Sequence, residues 1–414
     1  MKTIPAILFF ILMTVTGDAQ SIIKGKVVNA ATGAGIPGSS IFITNTSKGT
    51  VSDGNGFFQL ENVPAGKHEL VISSVGYTTA TYSFSDAQLP LQLKVELIVK
   101  VKELGNVVVE QSVEEGWDKW GKTFMDNFVG TTAEAAQCRI RNEQKIRFRY
   151  YKKSNRVVAY CDEPIILENK ALGYTISYQL ENFEVNFRDR STFFLGYSLF
   201  EPISTSNSKK QQKWIDKRQE IYTGSVMHFM RSLYANRLAE EGFEVRHMTR
   251  VPNEEKQRIR KIKGLSTHYA VSNGVTVMTG AGNNDTAITH PPDSVSYYRA
   301  VLRQPDIIER IGIDLLTADS LIIERKDNVS FLYFPDYIYV TVKSKREAAE
   351  YLLTQYPKRA ATYQRSFVVL LNDKIISIDK NGNYYDPQDF FTSGYWGWSE
   401  KMANTLPLDY EPQK

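Results

Sequence analysis

Gly49-Thr50-Val51-Ser52-Asp53-Gly54-Asn55-Gly56-Phe57-Phe58-Gln59-Leu60 is followed by Val63-Pro64-Ala65-Gly66-Lys67-His68 and then by Ser73-Ser74-Val75-Gly76-Tyr77. Each apolar piece is short, alternates with polar residues and closes on a turn signal. That is the pattern of hairpins in a small β-sandwich. Asp53-Gly54 and Asn55-Gly56 suit a tight connection, because Gly, Asn and Asp reach φ > 0 at little cost. Pro64 with Gly66, and then Gly76, mark two further corners.

Upstream lie Gly25-Lys26-Val27-Val28, Thr32-Gly33 and Ile36-Pro37-Gly38. Together with Gly49-Thr50, Asp53, Gly56-Phe57-Phe58, Pro64-Ala65-Gly66 and Val75-Gly76-Tyr77, they make residues 21–110 resemble the carboxypeptidase regulatory-like domain. The resemblance implies a prealbumin-like β-sandwich of seven strands with no chemistry of its own. Domains of this family stand beside the catalytic domain of some zinc carboxypeptidases, and at the N-terminus of many TonB-dependent outer-membrane transporters. It therefore also implies a Gram-negative envelope setting. Leu104-Gly105-Asn106-Val107-Val108-Val109-Glu110 reads as the sandwich's last strand. A transporter barrel needs far more chain than the ~300 residues that follow, and the repeating alternating segments are absent. A transporter is thus expected only as a partner.

Residues 1–20 carry Lys2, an apolar run over 4–15 and then Gly17-Asp18-Ala19-Gln20. A basic start, a short apolar core and small residues describe a secretory signal peptide, with cleavage near Ala19 and Gln20. The run is short for a bilayer span, and no later stretch approaches about 18 apolar residues. No Cys follows it to carry a lipid anchor. The mature chain is expected to be exported, without a transmembrane segment, to the periplasm or the outer membrane and cell surface. The net charge of +4 is too small to argue for nucleic acid, and losing Lys2 and Asp18 leaves it unchanged. The length exceeds one ordinary core. The expected division is a signal peptide at 1–20, the sandwich at 21–110 and a β-rich α+β region at 111–414, with a candidate boundary near 270–300.

In that region Trp117, Trp120, Phe124 and Phe128 recur at helical spacing and read as a core stripe. Cys138 and Cys161 are the two cysteines; export permits a disulfide between them, and two buried free thiols are the alternative. Lys145, Arg147 and Arg149 alternate with Ile146, Phe148 and Tyr150, so a half-buried strand presents one basic face. That face reads either as a patch for an anionic partner or as a solvated surface balanced by acids such as Glu181 and Glu184. Tyr174, Ile176, Tyr178 and Leu180, then Phe183, Val185 and Phe187, continue the strand pattern.

The polar run 204–213 reads as a loop. Val226, Phe229, Met230, Leu233 and Leu238 predict a helix stopped at Gly242. Residues 329–342 are strongly β, with Pro335 at a bulge or edge. Ser344-Lys345-Arg346-Glu347 matches a capping box opening a helix to about Tyr356. Asn372-Asp373 predicts a hairpin, and Asp379-Lys380-Asn381-Gly382-Asn383 a further turn. Trp396 and Trp398 lie in an aromatic, turn-rich tail. Together with Trp117-Asp118-Lys119-Trp120 and residues 236–243, the tail resembles secreted proteins of similar length that share the N-terminal domain, a group to which the resemblance attaches no activity.

Catalytic motifs are missing where the chemistry would need them. A zinc carboxypeptidase site requires His-x-x-Glu with a distant His, because two imidazoles and a carboxylate hold the metal. None of His68, His228, His247, His268 and His290 has Glu three positions on. There is no nucleophile elbow and no nucleotide-binding glycine loop. Ser206 and Lys209 fit Ser-x-x-Lys only formally. No catalytic residue, metal ligand or cofactor is expected. The chain reads as mainly β with α+β character: a seven-stranded prealbumin-like sandwich, then antiparallel sheet with a few packing helices. Its expected work is non-catalytic binding or scaffolding at the envelope, with an outer-membrane protein or a polysaccharide as partner. The alternative is an envelope glycan hydrolase, whose paired carboxylates are invisible in sequence.

Overall fold

A computed structural model describes residues 21–100, 110–261, 269–272, 275–278 and 292–413. The leader reading with Ala19 and Gln20, the strand expected at 104–110 apart from Glu110, and most of the loop expected at 280–292 lie outside these residues. Strand exceeds helix, 40% to 24%, so the fold is mainly β with α+β character.

The first unit is a sandwich of seven strands. Phe57–Leu60, Ile23–Asn29 and Leu91–Leu97 form one sheet; Gly49–Val51, Ser40–Ile43, Lys67–Ser73 and Ala80–Ser85 form the other. Ile23, Val27, Ile41, Ile43, Leu70 and Ile72 fill the space between them. The turn before Phe57 is made by Asp53, whose carboxylate accepts the N–H groups of Asn55 and Phe57, both at 2.8 Å. Gly56 has φ +85°, and a Cβ there would fall 2.3 Å from the Val27 carbonyl. A larger residue is excluded on both counts.

The second unit packs the helix Trp117–Phe124 and its continuation Met125–Val129 on a seven-stranded sheet. Phe124 and Phe128 are fully buried, and their rings stand 4.5 Å from Phe183 and 4.9 Å from Tyr178, so the aromatic stripe is core. The long strand Tyr174–Asn186 pairs along its length with Ser191–Pro202, with a register shift between Leu180 and Asn182. One extra residue in one strand reverses which side chains face inward. Tyr174, Ile176, Tyr178 and Leu180 are therefore buried before the shift, and Phe183 and Val185 after it.

The polar run 204–213 is corrected: Ser208–Tyr222 is a helix, with the Asn207 side chain accepting the Lys210 N–H at its start. Its inner face is Trp214, Tyr222 and the Arg218 guanidinium, which lies 4.0 Å over the Tyr174 ring. A helix that buries an arginine stem and one indole carries little apolar periodicity.

The third unit sets the helix Val226–Tyr234 on a five-stranded sheet, in the order Ile307–Ile311, Phe243–Pro252, Tyr337–Arg346, Tyr363–Leu370 and Phe390–Gly394. A three-stranded sheet of Ile322–Lys326, Val329–Leu332 and Ile376–Asp379 completes it. The helix ends at Tyr234 with Asn236 at φ +57°, not at Gly242, which instead opens the strand Phe243–Pro252. Pro335 does not bulge one strand; it separates two strands of different sheets. The Asn372-Asp373 corner likewise joins strands of different sheets, so it is no hairpin. Ser344–Arg346 remain in strand, and the helix begins only at Ala349. The core of the second unit runs to Tyr222 and takes in Met402, Ala403 and Leu406 from the tail, while that of the third unit begins at Val226. Among the described residues no helix is long and apolar enough to cross a membrane.

Candidate functional site

The second and third units meet around a cavity of about 310 Å³. Its wall combines the loop after the aromatic helix (Thr132 to Glu134), the end of helix Ser208–Tyr222 (Lys217, Glu220), the corner Thr223-Gly224-Ser225, Lys345 at a strand end, and Trp398 to Glu400. A second cavity of about 280 Å³ shares Ser225, Glu400 and Asn404 with it, and reaches Asn45 of the sandwich.

Gly224 makes this junction fit. Its φ is +79°, and a Cβ would lie 2.8 Å from Val342 Cγ1. Its carbonyl accepts the Trp396 Nε1–H at 2.8 Å, and its N–H donates to His228 Nδ1 at 3.1 Å. Trp396 is thereby buried, fixing the short helix Tyr395–Ser399 that carries Trp398. The Trp398 ring packs 5.3 Å from Tyr395 and 5.4 Å from Tyr351, and its Nε1–H donates to Thr131 at 2.9 Å.

The cavity's charges are unevenly matched. Lys217 sits between two carboxylates, Glu220 at 2.6 Å and the buried Glu134 at 3.3 Å. Lys345 Nζ donates to the main-chain oxygen of Glu220 at 2.7 Å, whereas the Glu134 and Glu220 carboxylates pair with Lys217. Burial holds its ammonium below the usual range. Burial also pushes the Glu400 carboxyl up to about 7, against the Val226 N–H and the Lys345 charge. Two ionisable groups thus line the space without full compensation.

The residues singled out in sequence lie elsewhere. Lys145 pairs with Glu163 at 2.7 Å and Arg147 with Asp162 at 2.6 Å, while the Arg149 guanidinium lies 5.4 Å over Tyr160. Two of the three cations on the basic face are therefore matched by neighbouring acids, Asp162 and Glu163 rather than Glu181; Glu184 pairs with Arg156. Cys138 and Cys161 are free thiols, which corrects the bridge between them. Cys138 lies opposite Asn169, which lies opposite Tyr174, whereas Val158, three residues before Cys161, lies opposite Glu184. Several residues of strand, at about 3.3 Å each, separate the two sulfurs, beyond the reach of a disulfide.

Among the described residues no group of three or more His, Cys, Asp or Glu is placed to hold a metal ion. Sequence reading missed Glu134, Lys217, Lys345 and Glu400 as a set, because each sits in a different element. The one local signal was the tail's Trp396-Gly397-Trp398.

Comparison with known proteins gives little beyond the first unit. No curated protein matches the sequence. A type II cohesin–X–dockerin complex from Acetivibrio cellulolyticus is similar at 24% identity over 19% of this chain and 55% of that one, with a TM-score of 0.16. This chain thus spans about half the length of that one. A protein of unknown function from Bacteroides fragilis is similar at 11% identity over 87% of this chain and 93% of that one, also with a TM-score of 0.16. Scores at this level carry no argument. Residues 23–109 match the family model of the CarboxypepD_reg-like domain, about a fifth of the chain, and the seven-stranded sandwich is a domain of that family.

Proposed function

We propose that the protein is exported and acts as a non-catalytic binding or scaffolding component of a Gram-negative envelope, with an outer-membrane protein or a polysaccharide as partner. The observation that carries this reading is the fixing of the regulatory-like sandwich to both other units beside a shared cavity. Asn45 N–H donates to the Ser198 carbonyl and Leu408 N–H to the Asn45 carbonyl, both at 2.7 Å. Asn381 and Tyr385 donate to the Ala65 and Lys67 carbonyls, each at 3.1 Å. An accessory domain held at separate points suits presentation of a composite surface. The basic, apolar leader and the family's occurrence at the envelope support the location.

Cross-linked capture from the native envelope, with the full chain and with a chain lacking residues 21–110, tests the proposal. A discrete outer-membrane protein or polysaccharide, lost with the sandwich, is expected. Capture of neither by the full chain would overturn it.

One observation favours a second reading as a glycan hydrolase. Glu400, held near neutrality in a cavity that also contains Glu134 and Glu220, is the environment of a general acid. Turnover of an envelope glycan that stops in Glu400→Gln would replace the non-catalytic reading.

A further inference from the structure

We infer that the cavity between the second and third units binds a sugar carrying a single carboxylate, a uronic acid residue, with Lys345 seating the carboxylate and Trp398 bordering the ring. This rests on the reading of the chain as a binding protein and names the ligand class of that same cavity.

The first argument is charge. Lys217 is already matched by Glu134 and Glu220. Lys345 donates instead to a main-chain oxygen, and its stem passes beside Gly224 in the cavity wall. A carboxylate brought to Lys345 would form a charge-assisted hydrogen bond, roughly twice as strong as a neutral one. The surrounding carboxylates decide which anion is admitted. Glu134, Glu220 and Glu350 all line the same space, so a doubly charged phosphate meets more repulsion than a monoanion. The cations Lys217, Lys345 and Arg346, in turn, oppose a bare metal ion.

Shape and polarity point to a sugar as the carrier. The cavity, about 310 Å³, lies at the lower end of the roughly 300–1,000 Å³ range of small-ligand sites. Its wall holds two aromatic rings, Trp398 and Tyr395, together with Asn404, Ser399 and the Glu400 carboxyl, which can meet hydroxyl groups. An apolar ring face beside a rim of donors and acceptors matches a pyranose. The exposed Glu220 side chain, 55% accessible, marks a mouth through which a polymer end could enter.

The test is calorimetric titration of the full-length protein with galacturonate, neutral galactose and D-alanyl-D-alanine. Saturable binding of galacturonate is expected, with galactose at least tenfold weaker. Lys345→Met should weaken galacturonate at least tenfold, while Lys345→Arg, which keeps the cation, should retain most of the affinity. The Arg variant also guards against a merely misfolded Met variant. Equal binding of the two sugars, or an unchanged Lys345→Met, would overturn the carboxylate assignment. Preference for the dipeptide would overturn the sugar. If no probe binds but envelope capture still recovers a partner, the ligand class fails and the binding reading stands; if both fail, both are overturned.

Discussion

The Asp409 carboxylate accepts hydrogen bonds from both the backbone N–H of Ser47, at 2.8 Å, and the Ser47 hydroxyl. A residue of the C-terminal tail thereby holds a turn of the N-terminal sandwich, next to the bond from Leu408 N–H to Asn45. Hydrogen bonds to a charged acceptor contribute about 1.5–3 kcal/mol each, and partial exposure places these at the lower end. Asp409→Ala should therefore loosen the docking without unfolding the sandwich. Amide exchange at Ser47 and Leu408 should quicken tenfold or more, while Leu70 and Ile72 in the sandwich core stay protected. Unchanged exchange at Ser47 would mean that the tail does not hold the turn.

His228 predicts a pH dependence. Its Nδ1 accepts the Gly224 N–H and its Nε2 faces Glu241 at 3.1 Å, so the neutral ring with Nε2–H satisfies both partners. Burial lowers its pKa below the ordinary 6.5, and the Glu241 carboxylate only partly offsets this. The unfolded chain then takes up the proton first, and stability rises with pH across that interval. The contribution is complete above about pH 6.5 and is lost as pH falls toward the lower folded value. The urea midpoint should drop between pH 7.5 and pH 5, and drop less in His228→Gln. Equal slopes in the two proteins would exclude His228 as the source.

How much of this was legible depended on where each partner lies. The sandwich could be read because its turns are made locally: Asp53 captures its own neighbours and Gly56 admits no Cβ. The strand Tyr174–Asn186 showed its burial, including the change of phase at the bulge. What failed was partner choice. Ile376–Asp379 pairs with Val329–Leu332 rather than with the strand just before it, a preference set by the core that forms around it. The helix Ser208–Tyr222 was hidden because its buried face is largely an indole and an arginine stem. The cavity was hidden for the same nonlocal reason, since Glu134 and Glu400 share it only after folding.

Glu347 shows a motif diverted to another use. Instead of capping a helix, its carboxylate accepts both Arg359 nitrogens, at 2.6 and 2.7 Å, and the Thr362 N–H and hydroxyl. Its side chain is only 1% exposed. Burial works against its charge, yet Arg359 and Thr362 together hold the carboxyl below its usual range. Arg359→Met should leave a buried charge half satisfied. We expect a loss of about 2 kcal/mol, below the cost of breaking a fully buried pair because Arg359 is partly exposed. Glu347→Gln, which keeps the shape and removes the charge, should lose less in the wild-type background and recover part of the loss beside Arg359→Met. Additive losses in the double variant, measured by urea unfolding, would deny the coupling.

The two cysteines give the last prediction. Both pack with the core of the second unit, and burial pushes the Cys138 thiol up to about 12 and raises that of Cys161 as well. The thiolate is the reacting species, so neither sulfur should be reactive in the folded protein. A chromogenic disulfide reagent at pH 7.5 should titrate almost nothing in native protein prepared without reductant, and two thiols per chain in strong denaturant. The register keeps them apart as well as protonated, so exposure to air should not change the count. One outcome would contradict this arrangement directly: no thiols in denaturant until a reductant is added would show a bridge that the strand pairing described here does not allow.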